Sequence, residues 1–172
     1  MDSSNDTTVK NSKIKDYGQL LKPNLSFLVV FSSVIAYLLV PGVHFELSKV
    51  IILFAGGMLV TGAANAINQI LEKDSDRLMK RTMFRPLPDA RMQRAEAWLF
   101  ALLTAFAGAA LLALSFNLLT GILSLVSLLL YAFAYTPLKK ISPIAVLVGA
   151  IPGAMPPLLG WVAATNRIGF EG

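Results

Sequence analysis

Three oxygen-bearing side chains recur at intervals of four residues, as Asn68, Glu72 and Asp76. On an α-helix, a step of four residues turns the side chain by only about 40°, so all three would lie along one face. Carboxylate and amide oxygens suit Mg²⁺, which binds proteins through one or two carboxylates together with substrate phosphates. Asp74 lies off this face in a regular helix and would join it only if the helix loosens there.

The same stretch of chain is rich in basic residues, which stand beside the acids and shortly after them. They are Lys73, Arg77, Lys80, Arg81 and Arg85. A carboxylate–metal cluster beside cations is what a diphosphate leaving group requires, because both offset the charge that develops as its bond breaks. Solvated ion pairs at the end of a membrane helix are the plainer interpretation. The polar Asn65 and Asn68 within an apolar run favour a site.

The segments that must position these residues are long and apolar. The 172 residues are 55% hydrophobic, above the roughly 45–50% of soluble domains, and the mean hydropathy is +0.64. Apolar residues fall in five blocks long enough to cross a bilayer, and lipid requires such blocks to be helices. The predicted spans are 25–40, 48–71, 95–114, 118–135 and 143–164. The expected fold is therefore all-α, a polytopic transmembrane helix bundle.

Charge predicts how the chain is oriented. Of the 15 basic residues, all but Lys49 and Arg167 precede span one, separate spans two and three, or follow span four. Basic loops face the cytoplasm, so the N-terminus and the acidic-motif loop are predicted to be cytoplasmic in a multi-pass protein of the cell's inner (plasma) membrane. This distribution explains the net charge of +5 without a nucleic-acid partner. The absence of cysteine excludes a disulfide framework, a thiolate metal site and a cysteine nucleophile.

Two parts of unequal size are predicted along the chain. Residues 1–22 form a polar cytoplasmic tail, whose first 11 residues have a composition typical of disorder. Residues 23–172 form the transmembrane domain, which includes a charged loop at 72–94. Connectors in compact domains are usually short, so a long charged loop indicates a functional segment.

The residues of the loop also resemble a known family. Residues 68–82, N-Q-I-L-E-K-D-S-D-R-L-M-K-R-T, followed by Arg85-Pro86-Leu87, are similar to the first aspartate-rich motif of the UbiA-type membrane prenyltransferases. The variant most resembles that of the protohaem IX farnesyltransferases, or haem O synthases. Lys22-Pro23, Tyr135-Thr136 and residues 149–161 are also similar to that family. The resemblance covers nearly all of residues 17–165.

This resemblance implies a fold, a reaction and its partners. The family fold has about nine membrane helices, so five spans would be its N-terminal part. The implied reaction transfers a farnesyl group from farnesyl diphosphate to a vinyl carbon of haem b, with addition of water, to give haem O. Mg²⁺ is the implied cofactor. The implied partners are the two substrates, the lipid bilayer, and a downstream haem-modifying enzyme or an oxidase-assembly protein.

The resemblance also implies roles for individual residues. Those expected to hold the metal and the diphosphate are Asn68, Glu72 and Asp76, with Asp74 as a further candidate ligand. Those expected to neutralise the diphosphate are Arg77, Arg81, Lys139 and Lys140.

The resemblance is incomplete, and alternatives remain open. The family has a second acidic motif that these 172 residues lack, which implies the N-terminal part of a longer protein, with only part of the metal site. A prenyltransferase of the same fold with an aromatic or quinone-precursor acceptor would share the first motif. A membrane transporter module is a more distant alternative, since broken helices such as the proline-rich fifth span are common in transporters. Acids at the end of a span, not its middle, favour chemistry at the membrane surface.

Overall fold

The computed structural model describes residues 4–169, with side chains described from residue 13 onwards. Within residues 4–169 the elements are six helices in chain order, and the fifth has a π-helical segment near its end. They are α1 (Ser4–Leu21), α2 (Pro23–Leu39), α3 (Leu47–Arg77), α4 (Arg94–Ser115), α5 (Leu118–Leu138, π-helical over Leu130–Tyr135) and α6 (Ala145–Thr165). The all-α prediction is confirmed.

Four of these helices are long and apolar enough to cross a membrane alone, namely α3 to α6. The first predicted span corresponds to α2, which reaches that length only together with the end of α1, and the two helices meet at a bend of 42°. The five predicted spans therefore each have a helix. α3 has 31 residues and is about 46 Å long, so it extends well beyond a hydrocarbon core of about 30 Å.

The structure has a helix over residues 4–11, which lie in the segment predicted to be disordered. Helix α1 begins at Ser4 and runs without a break to Leu21, while residues 1–3 lie outside the described range. The end of α1 is held by a side chain from another helix: Gln69 Nε2 donates to the carbonyl oxygens of Gln19 (3.2 Å) and Leu20 (2.9 Å). Terminal helix carbonyls need such partners, and these bonds fix the C-terminal end of α1 against α3.

Helix α3 is the central element of the bundle and contacts α1, α2, α4 and α5. Small residues on α3 allow the neighbouring helices to approach closely. A Cβ added at Gly56 would lie 2.7 Å from Leu112, one at Gly57 would lie 2.9 Å from Val30, and one at Gly62 would lie 2.6 Å from Leu21. The helix face that bears Asn68, Glu72 and Asp76 is called the acid face. The helix that carries it is therefore packed on several sides.

Helix α5 extends further than predicted, through Pro137 to Leu138, instead of ending at Tyr135. A proline lacks the amide proton and its ring displaces the backbone of the preceding turn. The wider π-helical turn just before it relieves this constraint. The Thr136 hydroxyl lies 2.9 Å from the carbonyl oxygen of Tyr131, five residues earlier. The extension carries Lys139 to the end of the bundle where α3 ends.

Helix α6 packs against α2 with backbone close to backbone. Ser33 Oγ donates to the carbonyl oxygen of Pro156 at 2.6 Å. A Cβ added at Gly160 would collide with the Ser33 carbonyl oxygen and lie 2.8 Å from the Tyr37 amide nitrogen. In contrast, a Cβ added at Gly153, on the same helix, would meet nothing within 4 Å.

Gly160→Ala should destabilise the protein, whereas Gly153→Ala should not. The methyl group that Gly160→Ala adds would meet backbone atoms that cannot rotate away, at a cost of about 1–3 kcal/mol. Alanine is favoured over glycine within a helix by about 1 kcal/mol, so Gly153→Ala should be neutral or slightly stabilising. Thermal unfolding in detergent measures both, and equal melting temperatures for the two variants would contradict the close α2–α6 contact.

Candidate active site

One end of the bundle gathers three segments that are far apart in the chain. They are the N-terminal helix α1, the segment 78–93 after α3, and the segment 139–144 after α5. Lys13 Nζ of α1 lies 2.9 Å from Glu96 Oε1 at the start of α4, and Lys140 Nζ donates to Ser75 Oγ at 3.0 Å. The segments in which the sequence concentrates basic residues therefore meet around the end of α3.

Asn68 and Glu72 share a continuous chain of polar contacts with α5. Asn68 Nδ2 donates to Glu72 Oε2 at 2.9 Å, and Glu72 Oε1 lies 2.8 Å from Lys139 Nζ. The Thr136 hydroxyl lies 2.9 Å from Asn68 Oδ1. Asn68 and Thr136 are both almost fully buried, so these groups have protein partners in place of water. Two of the predicted metal-site residues and one predicted diphosphate ligand are thereby brought together.

Asp76 lies one turn further along the same helix and is paired with a cation from the segment 78–93. Arg85 Nη1 donates to Asp76 Oδ2 at 2.6 Å. Thr82 Oγ1 donates to the Asp76 carbonyl oxygen at 2.9 Å, so the chain turns back over the end of α3. Asp76 is only 4% exposed, and a carboxylate this buried requires such a partner. The sequence-based set of diphosphate ligands omitted Arg85, although it belongs to the motif's R-P-L tail.

Three other predicted residues lie away from this cluster. Asp74 projects outward, with its side chain 86% exposed, and its Oδ2 accepts from Arg94 Nη2 at 2.8 Å. Arg77 and Arg81 are exposed, and neither has an acidic partner within salt-bridge distance among the described residues. The structure thus places Asp74 apart from Glu72 and Asp76, as regular helix geometry predicts.

Lys22 is a further cation at this cluster that the sequence-based site set did not include. It occupies the break between α1 and α2 with φ 46°, a left-handed conformation that is uncommon for residues other than glycine. It is partly buried, and this burial lowers the pKa of its ammonium group. The charge of Arg85 also lowers this pKa, whereas the charges of Asp76 and Glu72 raise it. Its place before Pro23 indicates a chain break, but a break alone does not show where the side chain points.

A cavity of about 970 Å³ extends from the cluster into the bundle, between α2, α3, α5 and α6. Its wall is mostly aliphatic, with Asn65, Tyr131 and Tyr135 among the polar residues that line it. Lys139 also lines it and bonds to Glu72, so the cavity and the acid face share a boundary. Ligand cavities commonly measure about 300–1,000 Å³ and have few polar groups, and this one has that character.

The acid face fits a hard cation only in part. Among the described residues, no group of three or more His, Cys, Asp or Glu side chains converges as a complete metal site. Asn68, Glu72 and Asp76 present oxygen donors on one face, and Lys139 and Arg85 pair with the two carboxylates. Mg²⁺ typically takes only one or two carboxylates and relies on substrate phosphates for more oxygens. The donor set therefore suits a metal that binds together with a phosphate-bearing substrate.

Comparison with known proteins identifies the family of the chain. A family model described as the UbiA prenyltransferase family matches residues 29–171. The chain belongs to the UbiA prenyltransferase family. This match separates it from the transporter alternative.

Its relatives include several proteins named protoheme IX farnesyltransferase. The one from Cytophaga hutchinsonii is 44% identical over 160 residues, covering 93% of this chain and 56% of the relative. The mitochondrial protein of that name from Arabidopsis thaliana is 44% identical over 156 residues, covering 90% of this chain and 36% of the relative. The chain thus spans about half the length of the bacterial relatives that it matches.

Solved structures share the fold over similar lengths. A UbiA homologue from Aeropyrum pernix K1 has a TM-score of 0.68 at 28% identity, covering 83% of this chain and 51% of that chain. A digeranylgeranylglyceryl phosphate synthase has a TM-score of 0.79 at 24% identity, covering 90% of this chain and 54% of that chain. The second likeness is one of fold.

Thr136→Val should destabilise the protein more than Thr104→Val. Both changes replace a hydroxyl with a methyl group of similar size, but only Thr136 contacts the buried Asn68 carbonyl oxygen. A buried acceptor without a partner costs about 1–3 kcal/mol. The Thr104 hydroxyl donates only to carbonyls of its own helix. Thermal unfolding compares the two variants. A smaller decrease in melting temperature for Thr136→Val than for Thr104→Val would contradict the contact between Thr136 and Asn68.

Proposed function

We propose that this chain carries the prenyl-diphosphate site of an enzyme that transfers a farnesyl group to haem b to give haem O. The observation that carries the proposal is the pairing of Glu72 with Lys139 and of Asp76 with Arg85 at the boundary of a large apolar cavity. The names of the relatives support farnesyl as the donor group and protohaem as the acceptor.

The chemistry follows from the charges that the site can supply. Asn68, Glu72 and Asp76 would hold Mg²⁺, which offsets the charge of the diphosphate. Lys139 and Arg85 now contact carboxylates and would turn to the diphosphate oxygens when the substrate enters. The bond between farnesyl C1 and the diphosphate oxygen breaks with its electron pair leaving on oxygen, where preorganised cations stabilise the developing charge.

The remaining atoms come from the acceptor and from water. The haem vinyl group supplies the electron pair that forms the new bond to farnesyl C1. The positive charge left on the other vinyl carbon is taken up by water, which loses a proton and leaves a hydroxyl group. The aliphatic cavity would hold the farnesyl chain while the diphosphate stays among the cations, since apolar surface is stabilised when it leaves water.

The orientation predicted from charge is part of the proposal. Lys22, Lys139 and Lys140 lie at the same end as the acid face. Lys49 lies at the other end of α3, where its Nζ donates to the carbonyl oxygen of Ser115 at the end of α4. A cytoplasmic location of the basic end in the inner (plasma) membrane follows from the positive-inside rule. Farnesyl diphosphate, which is charged and water-soluble at its head, would then enter from the cytoplasm.

Mass spectrometry of the haems in membranes that contain the full natural chain tests the reaction. Membranes supplied with haem b, farnesyl diphosphate and Mg²⁺ should form haem O. If the inserted and folded protein forms none but prenylates an aromatic quinone precursor, the proposed acceptor is wrong and the donor site stands. If it prenylates neither acceptor, the proposed reaction is wrong.

Glu72→Gln and Asp76→Asn should each lower turnover by about a hundredfold or more, the loss seen when one electrostatic partner of a transition state is removed. Membrane insertion should be unchanged, since both changes keep the shape of the side chain. Asp74→Asn is the matched control, because its carboxylate is exposed and points elsewhere. Initial rates of haem O formation measure all three, and equal losses at positions 72, 74 and 76 would contradict the site geometry.

Arg85→Gln should raise the apparent KM for farnesyl diphosphate more than Arg77→Gln or Arg81→Gln. Arg85 is held against Asp76 beside the acid face, whereas Arg77 and Arg81 are exposed. Loss of a charge-assisted hydrogen bond costs about 1.5–3 kcal/mol, which is on the order of a tenfold to hundredfold change in affinity. Steady-state kinetics at varied concentrations of farnesyl diphosphate distinguish the three variants. A larger rise in apparent KM for Arg81→Gln than for Arg85→Gln would contradict the role of Arg85 and favour Arg81, which was predicted from sequence.

A further inference from the structure

We propose that Asp16 and Arg91 form a latch by which helix α1 positions the segment 78–93 over the acid face. Asp16 is then a positioning residue for Arg85, although it belongs to a helix that carries no group of the site. The inference deepens the proposed function, because it assigns a part of the chain that determines how the diphosphate is bound.

The latch is built around a buried carboxylate. Asp16 is only 2% exposed, and its Oδ1 accepts from Arg91 Nη1 in an ion pair that joins residues 75 positions apart. A buried carboxylate depends strongly on its cationic partner, because removal of that partner leaves the charge uncompensated. Loss of Arg91 would therefore leave an unpaired charge buried at Asp16. Loss of one partner of an exposed ion pair in this region would leave the other charge in water.

The guanidinium of Arg91 also holds the segment 78–93 itself. Its Nη2 donates to the Phe84 carbonyl oxygen at 2.8 Å, and its Nε donates to Asp89 Oδ2 at 2.8 Å. Nη2 further lies 3.5 Å from Gln19 Oε1 of α1. Arginine suits this position because its planar fork presents several donors in fixed directions. One side chain thus connects α1 with two points on the segment.

The backbone that Arg91 holds leads directly to the acid face. Phe84, whose carbonyl accepts from Arg91, is bonded to Arg85, whose guanidinium contacts Asp76. A hydrogen bond at the Phe84 carbonyl restrains the peptide plane shared with Arg85. The path from Asp16 through Arg91 and Phe84 to Arg85 is therefore continuous in hydrogen bonds and covalent bonds. Arg91, one of the basic residues of the charged loop, thus binds protein groups.

Helix α1 is itself anchored, so the latch has a fixed base. Gln69 of α3 donates to the carbonyls of Gln19 and Leu20, and Asn65 Nδ2 lies 3.5 Å from the Leu21 carbonyl oxygen. These amides belong to the same helix as Asn68, Glu72 and Asp76. The segment 78–93 is thus fixed relative to α3 at two points, directly through Arg85 and, through Arg91 and α1, indirectly.

Hydrogen–deuterium exchange of the full natural chain in detergent, with Asp16→Asn as the variant, tests the latch. The change keeps the shape of the side chain and removes its charge. Amides of residues 78–93 should exchange about tenfold faster or more, as expected for a segment whose local opening becomes easier, while amides in the middle of α4 keep their rate. Lys13→Gln is the matched control, because it removes an exposed ion pair between α1 and α4, and it should leave residues 78–93 unchanged.

Arg91→Lys provides a second variant if Asp16→Asn fails to insert. It keeps a cation opposite Asp16 but lacks the planar fork that reaches Phe84 and Asp89, so exchange in residues 78–93 should also accelerate. Unchanged exchange in the inserted variants, or equal acceleration in Lys13→Gln, would overturn the latch.

Steady-state kinetics separate the latch from the proposed reaction. Asp16→Asn should raise the apparent KM for farnesyl diphosphate about tenfold, the order of a lost hydrogen bond, and leave kcat within about twofold, since the acid face itself is intact. Accelerated exchange with an unchanged KM would keep the latch and remove its link to the diphosphate. Accelerated exchange in a protein that forms no haem O would leave the latch standing and overturn the proposed reaction.

Discussion

Two carboxylates on one face of a helix, near the edge of a membrane, must be balanced by cations, because both are largely removed from water. Glu72 and Asp76 obtain this balance from Lys139 and Arg85, which lie on different segments that follow different helices. Charge balance at α3 therefore requires that the segment after α3 folds back and that α5 ends beside it. In the proposed reaction these cations would already be assembled when the diphosphate arrives.

Helix packing places the charged and polar partners of the acid face at hydrogen-bonding distance. α3 carries all three oxygen-bearing residues and is surrounded by α1, α2, α4 and α5, with glycines at the closest approaches. The π-helical turn before Pro137 lets α5 continue far enough to place both Thr136 against Asn68 and Lys139 against Glu72. A regular helix that ended at Tyr135 would leave Asn68 without its buried partner. The apolar cavity begins where these polar contacts end.

The spans and the acid face could be predicted from sequence because they depend on local rules. Apolar length predicts membrane helices, and the four-residue spacing places Asn68, Glu72 and Asp76 together. The partners of these residues could not be predicted in this way. Arg85 reaches Asp76 only because Thr82 turns the chain over the helix end, and the path of a turn depends on tertiary contacts. The C-terminal end of α1 likewise accepts hydrogen bonds from Gln69 of α3, a contact that the composition of α1 does not predict.

Electron paramagnetic resonance of Mn²⁺, used in place of Mg²⁺, tests most directly whether the acid face holds a metal together with a diphosphate. The full natural chain would be titrated with Mn²⁺ in the presence and absence of an unreactive farnesyl thiodiphosphate. Bound Mn²⁺ should increase sharply when the analogue is present, and this increase should be lost when Glu72→Gln and Asp76→Asn are combined. Equal Mn²⁺ binding in the parent protein and the double variant would contradict metal binding at the acid face.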